Sequence, residues 1–357
     1  MLKCNRQKYF LKFLQPAGTS RGILRQKETW IISLFEDENP GKIAYGECGI
    51  FRGLSYDDRP GFEEKLEQVC ENLPEKKEAV LEDLKDWPSI HFGVEMLLAD
   101  WKNGANRTLF KSDFTENEKP IDINGLIWMG SKQFMLQQIK QKLDEGFSCL
   151  KMKIGAIDFE TELEILGIIR RQFTANKIQI RVDANGAFSP EEALKKLQHL
   201  SRFDIHSIEQ PIKAGQIAEM AMIAEKSPIP VALDEELIGK FNSDEKKKLL
   251  ETIRPAFIIL KPTLLGGFAA SEEWMELIEK QGGNWWITSA LESNIGLNAI
   301  AQFVFTKKNP LPQGLGTGQL YSNNFDSPLT VRRGKLFLDK KKQWNFGNLN
   351  SNTPVIY

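Results

Sequence analysis

The sequence predicts an α/β protein in which a parallel barrel of strands and helices carries an α+β capping domain at its N terminus. Three observations lead to this. Apolar, strand-like runs recur from Ile123 onward at near-constant spacing. The segments between them have helical periodicity, and the first 115 or so residues place strands before helices.

The N-terminal part opens with two stretches of apolar and aromatic strand content, residues 5 to 13 and 28 to 36. Between them lies PAGTSRG, a polar stretch expected to be a loop and carrying Arg21. KIAYGECGIF, residues 42 to 51, reads as a third strand, so the three are expected to form an antiparallel sheet joined by turns. A loop carrying Tyr56, FRGLSYDDRPG, follows. Helical spacing runs from Phe62 to about Lys85, and a second helix is expected after Pro88.

After Pro120 the texture changes. Strand-like runs begin near residues 123, 149, 178, 205, 230, 257 and 285, with a weaker one at 313, so successive starts are roughly 25 to 29 residues apart. That is the length of one strand plus one crossover helix. Phe134, Met135, Ile139 and Leu143 recur at helical spacing, as do Leu163, Leu166, Ile169 and Phe173. SPEEALKKL opens as a capped helix, with Ser189 before Pro190. Seven or eight such units point to a closed barrel, and a long doubly wound sheet gives a similar pattern. The barrel is preferred because no GxGxxG follows the first strand, IWMG. The final stretch, SPLTVRRGKLFLDKKKQWNF, reads as two strands and a turn returning to the N-terminal domain.

Composition narrows the function. A chain of 357 residues buries a large core, and 41% hydrophobic with 27% charged residues is ordinary for a soluble globular protein. A net charge of -1 provides no basic field for nucleic acid or anionic lipid, and no apolar run reaches the roughly 18 residues of a membrane span. Cys4, Cys48, Cys70 and Cys149 are scattered without metal spacing, and MLKCNRQKYF is too polar for a signal peptide, so a cytoplasmic protein with reduced thiols is expected.

The chemistry is written at the strand ends. KMKIG, RVDANG, IEQPI, ALDEE and ILKPT end successive apolar runs in charge, and a parallel barrel gathers strand C termini at one rim. Lys151 and Lys153 share one face of their strand, Asp183, Glu209 and Asp234 end the next three units, and Lys261 ends the one after. Singly, each suits a strand-end ion pair. Together, three converging carboxylates suit Mg²⁺, which prefers oxygen ligands and keeps positions open for a substrate carboxylate. Such a cation favours an enediolate, formed when a proton leaves the carbon next to that carboxylate. Lysine serves as base once burial and a neighbouring cation lower its pKa. His91, His199 and His206 fall in no ligand pattern, and the lysine runs at 246 to 248 and 340 to 342 read as solvated faces. Gly314, Gly316 and Gly318 suit either an anion cradle or a tight turn.

With the KxK, DxN, EQP, DE and KP motifs in this order, the chain resembles the enolase superfamily, in its muconate-lactonising subgroup. The resemblance implies a (β/α)7β TIM-like barrel over residues 119–318, an α+β capping domain over 1–118, and a segment 319–357 that closes onto the capping domain. It implies Asp183, Glu209 and Asp234 as ligands of Mg²⁺, for which Mn²⁺ substitutes, with Asn185 beside the metal. Lys153 becomes the acid/base, with Lys151 next to it and Lys261 on the opposite face; a lysine base paired with magnesium is a known feature of the superfamily. Arg21, Tyr56, Ser289 and Gly316 are the expected substrate contacts, and the partner is a small-molecule carboxylate. The implied reaction is loss of water from a hydroxycyclohexadiene carboxylate. Racemisation of N-acylamino acids or epimerisation of dipeptides is the alternative, although GLGTG lacks the acidic pair that would hold a dipeptide ammonium. A non-catalytic metal-binding barrel is the third reading; it predicts a missing lysine or carboxylate, and none is missing.

Overall fold

The computed structural model describes residues 1–19 and 22–350, so Arg21 lies outside the described residues. An antiparallel sheet of β1 (Leu2–Thr19), β2 (Gly22–Glu36) and β3 (Asn39–Cys48) opens the chain. PAGTSRG is mostly strand rather than loop. Ala17, Gly18 and Thr19 pair with Leu24, Ile23 and Gly22, after a register shift between Lys12 and Ala17. Helices α1 (Phe62–Asn72), α2 (Lys77–Glu82), α3 (Pro88–Lys102) and α4 (Asp113–Glu116) follow. The single helix expected from Phe62 to Lys85 is two, because Pro74 cannot continue the helical hydrogen bonding.

The run WIISLF is apolar at every position but one because β2 is buried on both faces. Trp30, Ile32 and Leu34 pack with Phe62, Leu66, Ile90 and Val94 of the capping helices, whereas Ile31 joins a core that continues into the barrel. Sheet and helix approach closely where β3 crosses α3: a methyl built on Gly93 would overlap the Cys48 sulfur, and one on Gly46 would overlap the Gly93 carbonyl.

The barrel strands are β5 (Gly125–Ile127), β6 (Cys149–Lys153), β7 (Gln179–Asp183), β8 (Ser207–Glu209), β9 (Val231–Leu233), β10 (Phe257–Leu260) and β11 (Asn284–Ile287), preceded by β4 (Ile121–Asp122). All seven are parallel and lie in chain order. The helices between them are α5 (Lys132–Asp144), α6 (Phe159–Gln172), α7 (Pro190–Leu200), α8 (Ile217–Lys226), α9 (Ser243–Ile253), α10 (Pro262–Leu265) and α11 (Gly267–Lys280), and α12 (Asn294–Lys307) follows β11. Ser189 caps α7 as expected. The weak eighth unit is real but only two residues long. Gln313 bridges Ile123 and Gly314 bridges Thr288, both in parallel, which joins the first barrel strand to the last and closes the ring.

The C-terminal hairpin, β12 (Leu329–Arg332) and β13 (Lys335–Leu338), pairs with β4 at the start of the barrel. The preceding segment runs along β1, where Leu14 N donates to Leu320 O at 2.8 Å and Ser322 N to Lys12 O at 2.9 Å. Among the described residues no helix is long and apolar enough to cross a membrane.

Two capping-domain carboxylates seat this domain on barrel helices. Glu47 of β3 accepts from Ser293 N at 2.9 Å, Ser293 Oγ at 2.6 Å and Gly296 N at 2.9 Å, at the start of α12. Glu95 of α3 accepts from Phe268 N at 2.5 Å and Ala269 N at 3.5 Å at the start of α11, whose own N-cap, Gly266, offers no side chain. Each satisfies helix donors that would otherwise be buried without partners.

Two outcomes are expected. Gly93→Ala adds a methyl where β3 leaves no room, so stability should fall by about 1–3 kcal/mol despite the better helix propensity. Cys48→Ala in the same chain should recover part of that loss; an unchanged thermal midpoint for Gly93→Ala alone would show that the contact yields freely. The second concerns Glu95, whose carboxyl is pushed up to about 7 by burial from an ordinary value of 4.5, against the pull of the Phe268 and Ala269 amides. The folded state therefore holds a proton that the unfolded chain releases, so this contribution to stability is complete below about pH 4.5 and is lost as pH rises through about 7. Glu95→Gln should flatten the fall in unfolding free energy between about pH 5 and 7 by up to about 1.4 kcal/mol per pH unit. Parallel curves for the two proteins would remove Glu95 as the titrating group.

Candidate active site

Strand register assembles the rim. Lys153 of β6 pairs with Asp183 of β7, and Asp183 pairs with Glu209 of β8, so three charged side chains end adjacent strands at one level. Asp234 and Lys261 directly follow β9 and β10. In the closed ring of eight, β6 and β10 stand four strands apart, which puts Lys153 and Lys261 on opposite sides with the three carboxylates between them.

The groups meet. Lys151 Nζ lies 2.9 Å from Asp183 Oδ2, 2.7 Å from Glu209 Oε1 and 2.6 Å from Glu209 Oε2. Lys153 Nζ donates to Asp183 Oδ2 and to Asn185 Oδ1, both at 2.6 Å. Lys261 pairs with Asp234. Asn185 donates to Glu235 Oε1 at 2.9 Å, so it joins Lys153 to a fourth carboxylate. All of this is buried: the Asp183, Glu209 and Asp234 side chains are at most 2% exposed, and Lys153 and Lys261 about a tenth.

Electrostatics follow from that burial. Desolvation raises the Glu209 carboxyl, as does the neighbouring Asp183, and despite Lys151 it is pushed up to about 8. Burial pushes Asp183 the same way, but Lys151 and Lys153 overcome it and hold Asp183 well below the usual carboxylate range. Burial lowers the proton affinity of Lys151 and Lys261. The carboxylates around each outweigh it, and both are held above the usual lysine value.

Four carboxylates, those of Asp183, Glu209, Asp234 and Glu235, therefore face three ammonium groups. Among the described residues no three acidic, histidine or cysteine side chains already close on one point as a ligand set, because Lys151 stands between Asp183 and Glu209. The donor set nevertheless fits a hard divalent cation, since Asp183, Glu209 and Asp234 offer only oxygens at the ends of three adjacent strands.

The other expected contacts have partners of their own. Tyr56, 43% exposed, lies edge-on to Phe241 with ring centroids 4.8 Å apart and against Gly239, so it docks the capping loop on the segment after β9. Ser289 Oγ donates to Glu292 Oε2 at 2.6 Å and accepts from Thr317 Oγ1 at 2.9 Å; Gly316 opens the turn carrying Thr317. Among the described residues neither makes a hydrogen bond to the lysine and carboxylate cluster.

Some participants were not singled out from the sequence. Gln210, the middle residue of EQP, accepts from Asp234 N at 3.1 Å and donates to Glu236 Oε2 at 3.2 Å, tying one carboxylate-bearing strand end to the next. The motif itself was the available signal. An apolar wall of Leu24, Phe51, Trp128 and Leu291 joins capping loops to strand ends around Leu11 and Tyr321, and nothing local in the sequence points to it. Further inside the ring, the Arg181 guanidinium lies 3.9 Å over the Trp286 ring and donates to Pro312 O at 2.8 Å.

Comparison with known proteins agrees with this geometry. The family described as Enolase C-terminal domain-like matches residues 135–342. The chain is 45% identical to the o-succinylbenzoate synthase of Desulfotalea psychrophila over 357 aligned residues, covering 91% of this chain and 96% of that protein. It is 23% identical to the L-Ala-D/L-Glu epimerase of Bacillus subtilis, covering 89% and 86%. The crystal structure of MenC from Desulfotalea psychrophila superposes with a TM-score of 0.82 at 41% identity over 94% of this chain and 99% of that one. The substrate-liganded epimerase from Bacillus subtilis superposes at 0.81 with 20% identity over 94% and 95%, a likeness of fold. The chain belongs to the enolase superfamily and, within it, to the o-succinylbenzoate synthase family.

Proposed function

We propose that this protein is a hydro-lyase of menaquinone biosynthesis that converts 2-succinyl-6-hydroxy-2,4-cyclohexadiene-1-carboxylate to o-succinylbenzoate and water in the cytoplasm. The observation that carries this is the near full-length 45% identity to a synthase of that name, combined with two buried lysines facing each other across a carboxylate cluster.

In this reading the substrate lies between the opposed lysines. Lys153 removes the proton next to the substrate carboxylate, and because elimination is syn the same ammonium then protonates the departing hydroxyl. Asn185 and Asp183 hold Nζ of Lys153 in place for both transfers. Lys261 keeps its charge against Asp234 and lies on the other face of the ring, where a cation stabilises the electron-rich intermediate. When held by Asp183, Glu209 and Asp234, Mg²⁺, or Mn²⁺ in its place, supplies positive charge to the substrate carboxylate as the proton leaves.

The dipeptide alternative requires an acidic partner for a substrate ammonium near the eighth strand. Gln313, Gly314 and the turn Gly316–Gln319 contain no carboxylate, which supports a substrate without an ammonium.

The defining assay follows aromatisation of the diene in the ultraviolet with Mg²⁺. Rapid turnover abolished by a chelator and restored by metal is expected. A folded, metal-loaded protein that leaves the diene untouched while exchanging deuterium into N-acylamino acids would replace this reading with racemisation. Lys153→Ala should lower kcat about 10³-fold or more with Mg²⁺ affinity nearly unchanged. Lys261→Ala should lose about 10²-fold, and Lys261→Arg, which keeps the charge, should lose less. Full activity in Lys261→Ala would remove the charge role.

A further inference from the structure

The loop that leaves the lysine strand is held by a residue that none of the site's chemistry uses. Glu162, on α6, is completely buried, and its carboxylate accepts from Gly155 N at 2.6 Å. Among the described residues it makes no ion pair. Burial pushes it up to about 7, while the Gly155 and Ile157 amides and the charge of Lys196 pull it back down. Burying a carboxylate without a salt bridge costs several kcal/mol, so a side chain that merely filled space here would be apolar. Its close partners are the amides of the turn immediately after Lys153.

That turn leans on the rest of the site. Gly155 has a φ of +92°, a left-handed conformation that suits glycine, and a methyl added to it would come within 2.5 Å of the Ala187 side chain. Ile154 N donates to Asp183 O at 2.9 Å. The turn held by Glu162 is thus packed against residues 183–187, which carry Asp183 and Asn185, and these two side chains grip Lys153 Nζ. Four links connect Glu162 to the reacting ammonium: carboxylate to Gly155 amide, Gly155 to the 184–187 turn, that turn to Asn185, and Asn185 to Nζ.

We propose that Glu162 is a positioning residue for the acid/base lysine: by fixing the 154–157 turn it sets where Lys153 Nζ stands between Asp183 and Asn185. It rests on the reading of Lys153 as the base. A displacement of about 1 Å at a proton-transfer group is enough to cost about 10²-fold in rate.

The test compares wild type, Glu162→Ala and Glu162→Gln. Glutamine keeps one oxygen acceptor for the Gly155 amide. For Glu162→Ala we expect kcat on the diene to fall about 30- to 100-fold, with KM and Mg²⁺ affinity, the latter read by calorimetry, changing less than about threefold. The primary isotope effect on kcat, with substrate deuterated next to the carboxylate, should rise because proton transfer has become slower. Glu162→Gln should recover to within about fivefold of wild type, and hydrogen exchange in peptides spanning 151–158 should quicken in the alanine variant alone. An unchanged kcat and isotope effect in Glu162→Ala, or losses in KM and metal affinity as large as the loss in kcat, would overturn the proposal. If the alanine variant fails to fold, Glu162→Gln decides on its own: restored activity with slow exchange supports the role, and fast exchange with wild-type kcat overturns it. Wild-type protein that does not turn over the diene refutes the synthase reading instead. The role of Glu162 is then judged by the exchange data and by Nζ in a crystal structure of Glu162→Ala, where an unmoved Lys153 overturns it.

Discussion

Charge compensation at the barrel rim is the constraint on which the rest of this structure depends. Asp183, Glu209 and Asp234 are buried together at the ends of three adjacent strands, with lysines interleaved among them. Desolvation pushes Asp183 and Glu209 toward the protonated form, and at Glu209 it prevails. Asp183 escapes because it touches two ammonium groups. Buried carboxylate oxygens that end adjacent strands, with lysines among them, are the kind of site that takes up a divalent cation together with an anionic substrate.

The capping domain is held to that rim by the same kind of interaction at lower density. Glu47 and Glu95 each leave their own domain to satisfy the N-terminal amides of a barrel helix, and Thr29 adds a hydroxyl to Glu47 at 3.0 Å. Helices α11 and α12 follow the strands whose ends carry Lys261 and Ser289, so seating the capping domain and shaping that half of the mouth are one event. Apolar continuity reinforces it. Ile31, Tyr45, Phe92 and Met96 of the capping domain belong to the core that runs through the barrel, which leaves little freedom for the two parts to separate.

Several features visible in the sequence acquired a different meaning in three dimensions. Asn185 reads from the DAN motif as a neighbour of the metal, and in the fold it accepts from Lys153 with one end and donates to Glu235 with the other. Ser289, expected as a substrate contact, has its hydroxyl hydrogen-bonded to Glu292 and Thr317. Tyr56 serves as a strut between the capping loop and the segment after β9. Each of these depends on rotamers and on partners distant in the chain, and residue type and spacing carry no information about either.

The sequence by itself determined the barrel, the capping domain and the identity of the rim charges. These follow from local rules: alternation along a strand, one strand and helix per roughly 25 to 29 residues, and the rule that parallel strands bring their C termini to one face. Tertiary structure decided what closes, grips and positions. The eighth strand is two residues long and is recognisable only because Ile123 and Thr288 flank it. Glu47 meets its helix 246 residues away and Glu95 its helix 173 residues away, separations over which no periodicity operates. Glu162, seven residues from Gly155 in sequence, looks like any acidic residue in the first turn of a helix, and only burial shows that its carboxylate faces inward to hold the loop behind Lys153.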